Sequence, residues 1–413
     1  MKMQATLISA AIAASIIATP SVEAGASEID MLRAEIQRLT NRVNQLESQS
    51  IRTEQQAAEA ESKAEQAMAT ADHKVSSGND KIRVSVSGHI NRALMVADDG
   101  QESDFYHVDN DSSSTRIRFL GEGDVSPNFT VGTAFEAEFE SNSTATVNQN
   151  AKSDVNSPDF KERRLEFYFD HTAWGRIWVG QGWTASEDTS EYDLSGTALA
   201  GYSSTADIAG GILFRDSAGN LTGDSVGAVF VNMDGLGRAD RIRYDTPELA
   251  GLQLSASAVE DDAWDLALKY GADYGATKVV GAIAYSDPAS SSVDNTVNGS
   301  VSVLFGSGLN LTFAAGQQEL SGGGDDPSFY YGKLGYITRL SSAGSTAFSI
   351  DYHHTEDILT AGDEGKSIGL QAVQNFDDWA TEGYIGYRNY ELERTTGNVQ
   401  DVDALIAGAR VKF

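Results

Sequence analysis

The chain ends in Leu405-Ile406-Ala407-Gly408-Ala409-Arg410-Val411-Lys412-Phe413, and this stretch decides the fold. Leu405, Ala407, Ala409, Val411 and Phe413 fall on every second position, the period of a strand, so one face is apolar and finishes on an aromatic ring. Working back, the same period fills most of the chain. Ile82, Val84, Val86, Gly88 and Ile90 alternate with Lys81, Arg83, Ser85, Ser87, His89 and Asn91. Phe129, Val131, Thr133, Phe135, Ala137 and Phe139 repeat the pattern, as do Leu165, Phe167 and Phe169. It returns in Trp264, Leu266, Leu268 and Tyr270, in Val297, Gly299, Val301, Val303 and Phe305, and in Phe348, Ile350 and Tyr352. Counting such segments from Lys81 to Phe413 gives about sixteen strands.

Alternation alone also suits a soluble sandwich, and three features separate the two. Short connections, such as Gly306-Ser307-Gly308 and the stretch from Ser341 to Ser345, alternate with longer acidic ones. Strand ends carry Tyr, Trp and Phe, which belong at the level of lipid headgroups. The final strand closes on an aromatic. Together these predict an all-β transmembrane barrel of about sixteen antiparallel strands, closed because an open edge in lipid would leave backbone groups unsatisfied.

Composition agrees. The 413 residues hold 40 Gly, 16 Phe and 15 Tyr but only 6 Pro, a mixture suited to tightly turning strands with aromatic ends. There is no cysteine, which removes disulfides and thiolate metal sites. Sixty acidic against thirty basic side chains give a formal charge of −30, which argues against a nucleic-acid partner. Those acids crowd into loops, read either as solvated surface or as sites where divalent cations bridge to anionic lipid headgroups. At the other end, Lys2, the apolar run from Leu7 to Ala18 and Val22-Glu23-Ala24 form a secretory signal peptide over 1–24. The run is shorter than the ~20 residues a spanning helix needs.

Between the signal and the barrel the period is helical. Ile29, Leu32, Ile36, Leu39, Val43 and Leu46 step by three and four, a heptad seam with Ile or Val at a and Leu at d. The register continues through Ser50, Thr53, Ala57, Ala60, Ala64, Ala67 and Ala71, so a coiled-coil arm is expected over 25–74, reaching roughly 65 Å. A stripe this narrow is buried only against copies of itself. Branched a residues with Leu at d suit a dimer, whereas Arg42 and Glu47 around Val43 and Leu46 resemble a short trimeric pattern. Three strands are the expectation. Ser76-Ser77-Gly78-Asn79-Asp80 marks a hinge over 75–80, and 81–413 is the barrel.

One connection stands apart in length. After Arg176-Ile177-Trp178-Val179 comes a stretch from about Trp183 to Gly237, acidic at its start with Glu187, Asp188, Glu191 and Asp193. Loops of this size are usually functional. Its apolar patch Gly211-Ile212-Leu213-Phe214 is expected to pack inside the wall. Projecting alternation inward puts Arg83, Arg116, Arg118, Arg164, Arg241 and Arg243 near it, with Glu136, Glu138, Glu140 and Glu166 among them. Arginine keeps its charge and matches carboxylates, and lining charge sets the sign of a permeating ion. Two readings stay open: the arginines attract anions, or they neutralise the glutamates beside them.

Gly88-His89-Ile90-Asn91-Arg92-Ala93, Ser114-Thr115-Arg116-Ile117-Arg118, Gly175-Arg176-Ile177-Trp178-Val179-Gly180-Gln181 and Arg241-Ile242-Arg243-Tyr244-Asp245 resemble general Gram-negative porins. With the arm, the chain is most similar to the DcaP-like trimeric porins. The final strand resembles those of bacterial outer-membrane proteins, in which a terminal Phe belongs to the assembly signal. The resemblance implies a homotrimer in outer-membrane lipid and lipopolysaccharide, with the arm in the periplasm. It further implies a third loop folded into the lumen after the fifth strand, and passage of small hydrophilic solutes, small anions such as dicarboxylates among them.

No cofactor and no metal site is expected. Enzyme chemistry lacks a motif: no Gly-x-Ser-x-Gly and no His-Glu-x-x-His occurs, and His353 and His354, being adjacent on a strand, point to opposite faces. A tethering or adhesive protein, with the arm bound to peptidoglycan, is the other class considered. Trimeric adhesins build one barrel from three chains, whereas this chain holds enough strands to close alone.

Overall fold

The computed structural model describes residues 81–153 and 159–413. The signal peptide, the coiled-coil seam from Ile29 to Glu47 and the hinge lie outside the described residues. The strands are β1 (Arg83–Asp98), β2 (Ser103–Asp109), β3 (Arg116–Ser126), β4 (Phe129–Glu140), β5 (Asp159–His171), β6 (Gly175–Trp183), β7 (Leu213–Arg215), β8 (Leu221–Ser225) and β9 (Arg238–Asp245). They continue as β10 (Leu252–Val259), β11 (Trp264–Tyr274), β12 (Thr277–Asp287), β13 (Val293–Leu304) and β14 (Leu309–Leu320). The last are β15 (Ser328–Ser341), β16 (Gly344–Glu356), β17 (Glu364–Phe376), β18 (Thr381–Glu393) and β19 (Val402–Lys412).

Each wall strand pairs antiparallel with the next, and β1 pairs with β19, so the sheet closes. The upper part of β1 pairs with β2 and its lower part with β3, which places those two segments in line as one interrupted strand. The result is a sixteen-stranded antiparallel barrel, with β7 and β8 as a separate hairpin inside the long connection. Residues 110–115 interrupt the second strand because they turn toward the lumen: the Asn110 side chain donates to the carbonyl of Leu199 at 2.7 Å. Alternation in the sequence does not reveal this break.

Period two then decides which side chains face lipid. Ile90, Leu94, Val301, Phe313, Leu370, Ile385 and Leu405 are exposed on the outside of a wall whose inside is polar or covered. Short turns gather at the end of the barrel that holds Phe413, and the longer connections at the other, here called the turn end and the loop end. Large rings are seated against glycine. A Cβ on Gly132 would lie 2.2 Å from Cζ of Tyr168, so that wall position takes no side chain without moving the ring. Adjacent His353 and His354 do face opposite ways: His353 contacts Thr205 of the long connection at 2.7 Å, while His354 stacks on Tyr330 with ring centres 4.6 Å apart.

Candidate functional site

The long connection, residues 184–237, enters the barrel, and two different surfaces hold it there. Its first part is rich in Ser and Thr and meets the polar inner faces of β10 to β16. The Ala185 amide donates to Ser257 Oγ at 2.7 Å and the Ser186 amide to Asp265 at 2.9 Å. Ser300 Oγ donates to the Thr189 carbonyl at 2.7 Å, and the Leu194 amide donates to Ser302 Oγ at 2.9 Å. Lys333 Nζ donates to Asp193 at 2.7 Å and to the Gly201 carbonyl at 2.6 Å. Inward hydroxyls and one lysine thus satisfy a backbone that would otherwise be buried without partners.

The second part is apolar. Ile208, Ile212, Phe214, Val226, Val229 and Phe230 are buried against Met95, Tyr106, Val108, Tyr390, Leu392 and Ile406. Two residues of the patch expected to pack inside the wall, Ile212 and Phe214, lie fully within this cluster. These inward wall positions are apolar, unlike those elsewhere, because another piece of chain covers them. One sector of the lumen is therefore filled, and water-accessible space remains beside β3 to β6 and β9 to β11.

That open side is lined by cations. Glu136 is completely buried and accepts from Arg118 and, at 2.8 Å, from Arg163, with Arg116 at 3.5 Å. Glu138 accepts from Arg163 at 2.5 Å and from Ser114 Oγ at 2.5 Å, while Glu140 accepts from Lys161 at 2.9 Å. Glu166 bridges Arg164 and Arg241, the latter at 2.5 Å. Arg243 donates to Asp245 at 2.8 Å and to the Thr184 carbonyl at 3.0 Å. Three glutamates, Glu136, Glu138 and Glu166, thereby serve five arginines, and two of them are each shared. The Arg164 guanidinium lies over Trp178 and Trp183, 5.5 and 4.9 Å from the ring centres.

Arg163 does not belong to the inward set read from alternation. Between Glu136 and Ala137 the register against β5 slips by one residue, pairing Glu136 with Arg164 and Ala137 with Glu162. The bulge leaves Arg163 on the same side as Arg164, and both reach glutamates in the lumen. Its signal in the sequence was the odd run Lys161-Glu162-Arg163-Arg164, which cannot keep strict alternation of charge.

Arg83 is not with the others. It faces inward at the turn end, where it is 73% exposed and meets Glu122 at 3.1 Å and Asp124 at 3.6 Å. It sits six residues below His89, the partner of Arg116, so the parity is as read but the height is not. Asp193, expected on the constricting edge, lines the same passage as Glu187, Asp188 and Glu191 and is at the same time the ion-pair partner of Lys333, whose side chain is fully buried.

The acids facing the arginines are Glu187, Asp188 and Glu191, joined by Asp234 from the far end of the same loop. Asp234 accepts from the amides of Asp188 and Ser190, both at 2.7 Å, and so pins the two ends of the loop together. Oxygens of Asp188, Glu191 and Asp234 all lie within 4.8 Å of one another. A shared cation or added protons would relieve that repulsion. Burial pushes Glu187 up to about 7, against the pull of Arg238 at 3.2 Å, with Asp234 and Asp188 pushing the same way. Burial likewise raises Asp234 to about 7, and burial with two acidic neighbours raises Glu191 well above the carboxylate range. Burial also lifts Asp207 to about 6.

Two cavities follow the open side. One of about 490 Å³ lies between Glu187, Asp188, Glu191 and the cations Arg243 and Lys269. The other, about 580 Å³, lies toward the turn end among Arg164, Arg176, Arg241 and Trp178. Trp183, Arg243 and Gln253 line both, which makes them the neck between the two. The arrangement is a narrowed passage with positive charge on the wall and carboxylates on the loop.

A family model described as Gram-negative porin matches residues 56–395. No curated protein matches the chain in sequence. Among solved structures, an anion-selective porin from Comamonas acidovorans aligns with a TM-score of 0.55 at 15% identity, covering 81% of this chain and 100% of that one. The trimer form of OmpT from Vibrio cholerae aligns at 0.51 and 14% identity, covering 81% and 100%. The outer-membrane channel DcaP of Acinetobacter baumannii aligns at 0.51 and 12% identity, covering 82% and 99%. At such identities these likenesses speak for the fold, whereas the family model spans most of the chain. A closed sixteen-stranded barrel narrowed by an inserted loop, matched over that span, makes this chain an outer-membrane channel of the Gram-negative porin family.

Proposed function

We propose that the channel passes small hydrophilic solutes and favours small anions, dicarboxylates among them. The observation that carries this reading is the excess of guanidinium over carboxylate on the wall, three glutamates serving five arginines, opposite loop acids that burial drives toward their neutral forms. Anions then meet fixed cations along one side of the passage, and charged solutes orient across it. The other reading, in which the arginines only neutralise their neighbours, is favoured by the further pairs Lys161–Glu140, Arg243–Asp245 and Arg176–Asp170 on the same wall. The Comamonas relative is itself described as anion-selective. Reversal potentials in a planar bilayer under a salt gradient test the proposal: an anion-selective sign supports it, and a cation-selective sign at pH 6 overturns it.

The working unit we propose is a homotrimer in outer-membrane lipid and lipopolysaccharide, with the segment 25–74 as a periplasmic coiled coil that tethers it near peptidoglycan. The sequence seam from Ile29 to Leu46 supports this, as does the trimer form of a protein of similar fold. Conductance of the chain lacking residues 25–78 separates the two parts. An unchanged value assigns the pore to the barrel alone, and loss of channels would tie the arm to pore formation.

A further inference from the structure

The neck between the two cavities holds a cation that the wall leaves unmatched. On β11, Trp264, Leu266 and Leu268 take outward positions, so Asp265, Ala267 and Lys269 face the lumen. Lys269 stands opposite Gln253 in the pairing of β10 with β11 and lines the upper cavity together with Trp183 and Arg243. The guanidiniums nearby already have carboxylates: Arg243 has Asp245, Arg241 has Glu166 and Arg238 has Glu187. Lys269 has neither an ion pair nor a hydrogen bond among the described residues. The loop acids share its cavity without reaching it. An ammonium drawn partly out of water with no counter-ion gains more from an arriving carboxylate than a guanidinium that is already paired.

Beside this cation stands a stack of alternating rings and guanidiniums. It begins toward the turn end with Tyr168 of β5. Arg176 lies 4.8 Å from the centre of that ring and 5.1 Å from the centre of Trp178. Arg164 then joins Trp178 to Trp183, so each guanidinium is shared by two rings. Trp178 is fixed further by Nε1, which donates to Asp245 at 2.9 Å. Trp183 is the last member and stands at the neck. Its Nε1 is buried, so what it offers the passage is the carbon surface of the indole. Arginines and carboxylates line the lower cavity in equal number, so the rings and not a net charge distinguish this stretch of wall.

We infer that the neck is a two-point binding site for carboxylates carried on an aromatic ring, with Lys269 taking the carboxylate and Trp183 the flat face of the solute. The assignment rests on the anion reading above and names the solutes which that passage favours. The stack holds the Trp183 ring in one orientation before a solute arrives, which lowers the cost of ordering the site. An aliphatic anion of equal charge and similar bulk finds the ammonium but has no flat face to lay on the indole. A neutral aromatic finds the indole and leaves the ammonium unserved.

Block of the chloride current through single channels of the full chain tests this, with benzoate, cyclohexanecarboxylate and benzyl alcohol as probes. Benzoate should reach half block at a concentration about fivefold lower than cyclohexanecarboxylate, the size of one aromatic contact. Benzyl alcohol should not block. Lys269→Gln should raise the half-blocking concentration of both anions about tenfold, as loss of one charged contact does. Trp183→Leu should bring the two anions to the same value. Where Trp183→Leu does not assemble, the wild-type comparison and Lys269→Gln decide alone. Equal block by the two anions in the wild type, or a benzoate block untouched by Lys269→Gln, overturns the site. An anion-selective reversal potential in those same records would leave the anion reading standing, and a cation-selective one overturns both.

Discussion

Gly88 and Phe413 close the barrel as a pair. The Gly88 amide donates to the Phe413 carbonyl at 2.9 Å and the Phe413 amide donates to the Gly88 carbonyl at 3.0 Å. The Phe413 ring lies over the glycine: a Cβ there would stand 2.7 Å from its Cζ and 2.5 Å from the Arg116 carbonyl oxygen. The first strand therefore carries a slot cut to the last side chain. Only a residue without a Cβ leaves room for both the ring and the neighbouring backbone.

Closure should accordingly be sensitive to Gly88. Gly88→Val is expected to reduce the heat-modifiable folded form on a gel severely and Gly88→Ala to a smaller degree, both at unchanged synthesis. Wild-type amounts of folded Gly88→Val would mean that the seam forms without this fit.

The inserted loop hangs on a buried ion pair. Lys333 and Asp193 have side-chain exposures of 0% and 4%, and removing one partner of such a pair costs about 3–5 kcal/mol because the other charge stays buried. Lys333→Met should loosen the first part of the loop without opening the barrel, whose strands do not depend on it. Single-channel records should then show a larger and noisier conductance. An unaltered conductance would place the anchorage in the hydroxyl contacts and the apolar cluster instead.

Selectivity should depend on pH. Glu187 and Asp234 titrate near 7, so both are largely charged at pH 8 and neutral at pH 5. Falling pH removes negative charge from the loop edge while the arginines keep theirs, and the anion-to-cation permeability ratio should rise. The stability effect has the same direction. Folded-state values raised above the unfolded carboxylate range mean that the folded chain binds protons more tightly, so stability is gained as pH falls from about 7 toward about 4.5. Glu187→Gln with Asp234→Asn should flatten the profile of reversal potential between pH 8 and 5; a profile as steep as wild type would assign the titration to other groups.

The wall gives the opposite shift. Arg116 and Arg118 both lean on Glu136, so replacing both by Ser leaves that buried carboxylate with Arg163 alone. The anion-to-cation ratio should fall, and the fall should be smaller at 1 M salt than at 0.1 M, since the screening length drops from about 10 Å to about 3 Å. If the double variant remains as anion-permeable as wild type, these two arginines serve structure only.

What was legible in the sequence is what depends on short range. A strand turns successive side chains to opposite faces whatever surrounds it, so the lipid side of Val301 and Leu405 and the lumen side of Arg116, Arg118, Arg241 and Arg243 follow from parity. The strand number follows from repeating that count, and the length of the stretch before Gly237 marks the unusual loop. Tertiary structure decided whatever depends on what lies opposite. The bulge that brings Arg163 inward exists because β5 slips against β4, and no residue of β5 alone dictates the slip. Asp193 reads as one more loop acid until Lys333 of a distant strand meets it, and Arg83 has the right face but the wrong height because depth in a barrel is set by pairing register. The raised pKa values of Glu187 and Asp234 come from enclosure between loop and wall, a property of the assembled space and not of any stretch of chain.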